Sequence, residues 1–159
     1  MGLINAYYTY VHGKRKEDDI SVRKRIMSEL QKAKTNVMNI LEEASIAKQK
    51  ELVDFARRTN DELDSFNTEV DLSEMGHNFP FFSIQKSADS EAIEKLCSFD
   101  RTIIDRMQNV TEATLRLHDA LLDKKADLDP VTELKKVRQY ISNARNTYKD
   151  RRDFIRGLR

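Results

Sequence analysis

Apolar residues recur in blocks of seven towards the end of the chain. Leu134, Val137, Ile141, Ala144, Tyr148, Ile155 and Leu158 form a seam broken only by Arg151, and Arg138, Arg145, Arg152 and Arg159 run beside it at every seventh position. A seven-residue repeat stays on one slowly turning side of a helix. The pattern therefore predicts an amphipathic helix over residues 130–158, lying against another helix, with guanidinium groups along one edge. Asp129 suits its N-cap, Pro130 its first position and Glu133 its first turn.

Two further helices follow from the same reading. Val22, Ile26, Leu30, Ala33, Val37, Ile40, Ala44 and Ala47 are spaced helically, and after a slip of register Leu52, Phe55, Leu63, Phe66 and Val70 continue the stripe. A period nearer 3.6 than 3.5 produces such a slip, so one helix is expected over residues 18–70, capped by Asp18 or Asp19. At 1.5 Å per residue it would be ~75 Å long. Thr59-Asn60-Asp61-Glu62 reads as a capping box and is the place where the helix would restart if it broke.

Residues 89–125 form the other helix. Leu96, Phe99, Ile103, Val110, Ala113, Leu117 and Ala120 make its seam, widened by Ile93, Ile104, Met107 and Leu121. So wide an apolar face predicts contact with two neighbouring helices. The short linker at Ala126–Asp129 makes the second and third helices antiparallel neighbours. They would measure ~55 Å and ~44 Å, too short to cover a ~75 Å first helix. The expected fold is all-α, a single domain over residues 1–159. It is an elongated, coiled-coil-like antiparallel three-helix bundle whose overhang is covered by a second copy.

A short extra helical segment is expected over residues 1–16. There Leu3, Ile4, Tyr7 and Tyr8 precede the basic run Lys14-Arg15-Lys16. Aromatic residues beside basic ones suit docking on a protein groove or seating on an anionic membrane surface. Between the first and second long helices, residues 71–87 form a loop with Gly76, Pro80 and the cluster Phe79, Phe81 and Phe82. Three Phe left in water would each forfeit about 2 kcal/mol of burial. They are expected to plug a bundle end or anchor a partner.

Composition supports helices and adds little else. With 35% charged residues, no Trp, four Gly and two Pro in 159 residues, breakers are too rare for many turns. The net charge of +1 hides a segregation: from Val131 onward nine basic residues face three acidic ones. Cys97 is the lone cysteine, which fits a reducing compartment and an inert buried thiol. No apolar run is long enough to span a bilayer, and no secretory signal precedes the basic run. A cytoplasmic location is the expectation.

Candidate chemistry is sparse. Nothing resembles a phosphate-cradling loop, a dinucleotide fingerprint or a nucleophile elbow. His12, His77 and His118 are scattered, and the one Glu-x-x-His, Glu74 to His77, lies in the loop. No catalytic residue, metal or cofactor is assigned. The arginine edge remains, with Lys149 beside it. Opposite it on the second helix fall Asp100, Met107, Thr114 and Leu121, of which only Asp100 is acidic. Glu29, Glu43 and Asp54 of the first helix are the other intramolecular candidates. The expected function is a non-enzymatic interaction or scaffold protein. It would self-associate and meet a partner, such as an acidic protein helix, through Arg138, Arg145, Lys149, Arg152 and Arg159 and through the three Phe. The alternative is a phosphate-rich surface, nucleic acid or anionic membrane.

Overall fold

The computed structural model describes residues 15–72, 90–123 and 128–157. They are helical, with no strand among them. In chain order the helices are α1 (Arg15–Ile46), α2 (Lys50–Leu72), α3 (Ser90–Leu122) and α4 (Pro130–Gly157).

Among the described residues four helices stand where three long ones were expected, because the stretch 18–70 is two helices. The break is not at Thr59. It falls at Ala47–Gln49, where the register slips. Lys48 adopts a left-handed backbone, φ 57°. Its N–H donates to the Ser45 carbonyl at 3.1 Å, and the Gln49 N–H donates to the Ala44 carbonyl at 2.9 Å. These two bonds form a Schellman C-cap, usually marked by glycine, here with lysine in its place. Gln49 then opens α2, its carbonyl accepting from the Val53 N–H at 3.0 Å. Thr59 is buried mid-helix, and its hydroxyl donates back to the Phe55 carbonyl at 2.7 Å instead of capping anything.

Side-chain pairs fix the directions. Lys34 of α1 meets Asp64 of α2 at 2.6 Å, so the chain doubles back at Lys48 as a hairpin. Arg106 of α3 donates to the Asn143 carbonyl at 2.7 Å and Arg151 of α4 pairs with Asp100, so α3 and α4 also run antiparallel. Arg138 pairs with Glu62 and Arg145 with Glu69, an advance of seven residues on both helices, so α2 and α4 run parallel. It follows that α1 and α3 are parallel too. The main contacts join α1 to α2, α1 to α3, α3 to α4 and α2 to α4. Two hairpins therefore lie side by side with both turns at one pole.

The apolar stripes meet in one core. Ile26, Leu30, Ala33, Val37 and Ile40 of α1 pack with Leu52, Leu63, Phe66 and Val70 of α2, and with Ile103, Ile104, Met107 and Val110 of α3. Leu134, Val137, Ile141, Ala144 and Tyr148 of α4 close it, with the Phe66 and Tyr148 rings edge to face at 5.7 Å. The wide face of α3 serves both α1 and α4. The Asp129 carboxylate accepts from the Val131 N–H at 3.2 Å and from the Thr132 hydroxyl, capping α4 above Pro130. The Thr132 hydroxyl, then the Val131 and Thr132 amides, hold the Asp129 carboxyl below its ordinary range.

Arg15 and Lys16 lie in the described helix α1. Cys97, expected inside, is only partly buried. Leu3, Ile4, Tyr7, Tyr8 and Lys14, the cluster Phe79, Phe81 and Phe82, and Arg159 lie outside the described residues.

Candidate functional site

The arginine edge is engaged within the bundle at its first two members. Arg138 donates through Nε to Glu62 Oε1 at 3.1 Å, and Arg145 through Nε to Glu69 Oε1 at 3.0 Å. Each pair is reinforced by the second guanidinium nitrogen. Neither Glu29, Glu43 nor Asp54 is the partner. Glu29 is buried against α3, where the Thr111 hydroxyl reaches it at 3.2 Å, and it pairs with Lys32 of its own helix at 2.9 Å. The signal for the true partners was in the spacing. Glu62 and Glu69 are seven apart, like Arg138 and Arg145. Parallel helices keep such a register, as at the flanking positions of a coiled coil.

Both pairs are about one-third exposed, so each contributes little to stability. The Arg145 hydrogen bond nevertheless holds the Glu69 carboxyl below its ordinary range, against burial and with help from the charges of Arg145, Arg152 and Lys149. The guanidinium groups of Arg138 and Arg145 are correspondingly pushed up by their carboxylate hydrogen bonds.

Arg151, the interruption in the α4 seam, meets the acid foreseen for the edge. Its side chain is 4% exposed and pairs with Asp100, which is 0% exposed. A charge at a seam position is tolerable only when a facing seam residue neutralises it. Asp100 is that residue, so it is not available to the arginine edge.

Two rungs of the ladder lie among the described residues. Arg152 is half-buried, and its Nε has no hydrogen-bond partner among the described residues. Lys149 is exposed. Near the other end of the groove, Lys135, Arg138 and Arg58 gather around the half-buried ring of Phe55, at 5.0, 6.0 and 5.9 Å from its centroid. Reading α4 alone missed Phe55 and Arg58, because both belong to the facing helix.

Among the described residues no group of His, Cys, Asp and Glu is placed to hold a metal ion, and no helix is long and apolar enough to cross a membrane. His118 is partly buried on α3. No family model matches the sequence, and no curated protein or solved structure matches it.

Proposed function

We propose that this protein is a non-enzymatic helical interaction module that receives an acidic protein partner along the groove between α2 and α4. One observation carries the reading. The two carboxylates that α2 presents at the ladder, Glu62 and Glu69, are taken by Arg138 and Arg145, while Lys135, Lys149 and Arg152 border the groove without an ion pair among the described residues. A positive surplus on a rigid helix is suited to electrostatic recognition of an acidic surface.

Arg138 and Arg145 thus play a different part from the one read in the sequence. They tie α4 to α2, and Lys135, Lys149 and Arg152, beyond them on either side, form the recognition surface. The ground for self-association also changes. It rested on a ~75 Å helix too long to be covered, and that helix folds back at Lys48 into a bundle that buries its own stripe.

Charge reversal tests the proposal. Replacing Lys135, Lys149 and Arg152 with Glu should abolish capture of an acidic partner in cross-linking from cell extract, while circular dichroism stays unchanged. Capture that survives the triple substitution overturns it. Binding to phosphate-rich surfaces is the competing reading, and it would show as an affinity for duplex DNA or anionic vesicles falling steeply with salt.

A further inference from the structure

Three cations converge on a single phenyl ring. The Lys135 ammonium stands 5.0 Å from the Phe55 centroid, the Arg58 guanidinium 5.9 Å and the Arg138 guanidinium 6.0 Å. They come from both walls of the groove: Arg58 and Phe55 from α2, Lys135 and Arg138 from α4. Arg138 is ion-paired with Glu62. Arg58 and Lys135 are exposed and make no ion pair among the described residues, so the cluster carries a surplus of two positive charges around an apolar floor. A ring face attracts cations and fixes where they sit. The result is two exposed cations set beside one ring, with Asp129 the carboxylate whose charge couples to Lys135.

Resting on the reading of the groove as a partner surface, we propose that the Phe55 cluster is the anchor point of that surface. It takes a carboxylate side chain of an acidic peptide segment between Arg58 and Lys135, with the carbon stem of that side chain against the exposed part of the Phe55 ring. The bidentate fork of Arg58 and the point charge of Lys135 suit a carboxylate approaching from the open side of the groove. A nucleic-acid strand is a poorer match. It needs a continuous positive track, whereas the cluster gathers its exposed cations, Arg58 and Lys135, at one ring.

The experiment is fluorescence anisotropy with the full chain and a labelled peptide of alternating Glu and Ala, at low salt. Three double or single variants are compared: Arg58→Gln with Lys135→Gln, Lys149→Gln with Arg152→Gln, and Phe55→Leu, which keeps apolar bulk but removes the ring face. The cluster predicts a loss of about tenfold for the first and a smaller loss, about threefold, for each of the other two. Amide chemical-shift changes on adding peptide should centre on residues 55–58 and 135–138. If the peptide binds but the Lys149 and Arg152 pair carries the larger loss, the anchor is misplaced while the groove reading stands. If no peptide binding occurs, or a DNA oligomer of equal charge displaces the peptide, both fall.

Discussion

Asp100 and Arg151 are the most consequential charged pair in the molecule because neither can reach water. Removing one partner leaves the other ionised in the core, whereas removing both leaves a packing problem only. Asp100→Ala is therefore expected to cost about 3–5 kcal/mol in urea unfolding, and the double change Asp100→Leu with Arg151→Met to be neutral or stabilising. Near-equal losses from the single and double variants would contradict the pairing. Glu69 makes a gentler case. Its carboxyl is held below the ordinary value by Arg145, so the folded state binds its proton less readily than the unfolded chain does. The pair's contribution is in place above pH 4.5, the ordinary value, and is lost as the pH falls through the depressed one. Arg145→Gln should lower stability at neutral pH and flatten that part of the acid-unfolding curve. Curves that stay parallel from neutral pH into acid would argue against it.

At the scale of elements the turn at Lys48 decides the fold. A lysine at positive φ is strained where glycine is not. Lys48→Gly should raise stability by up to about 1 kcal/mol, whereas glycine inside a continuous helix would lower it by about as much. The sign of the change in urea midpoint thus separates a hairpin from a rod. Spin labels at Lys34 and Asp64 give a second measure. A distance near 45 Å, the rise of thirty helical residues, would exclude the hairpin. Much of this architecture was legible beforehand. The core positions Val22 through Ala44, Leu52 through Val70 and Leu134 through Tyr148 follow the apolar spacing, and Asp129-Pro130 announces its helix start. The turn was not legible, because a Schellman cap without glycine leaves only a slip of register, and a 3.6-residue period mimics one. The capping-box pattern at Thr59 misled for a related reason. Its Glu62 has a better use, bonding Arg138 across the groove. Heptad spacing likewise announced the arginine edge, but an edge read on one helix does not reveal which residues the neighbour sets opposite it.

The whole molecule follows from two hairpins that share a core. Every long helix has two neighbours, and the buried stripe needs no second chain to cover it. The exposed large apolar side chains are few: Met38, Ile46, Leu72, Leu115, Leu122 and Tyr140 among the described residues. Single exposed residues of this kind are ordinary on protein surfaces. Sedimentation velocity should accordingly show a compact particle at the 18.6 kDa of one chain. An elongated dimer would return the apolar surface to consideration as an interface. The groove surplus adds a condition to any partner measurement, since long-range attraction fades over about 8 Å at physiological salt.

The parallel pairing of α2 with α4 has a mechanical consequence. The start of α1 and the end of α4 leave the bundle at the pole opposite both turns. A pull applied between those two points loads the contacts from one end, a turn at a time, rather than sliding whole helices past each other. Hauled by its ends, the protein should part like a zip at low force.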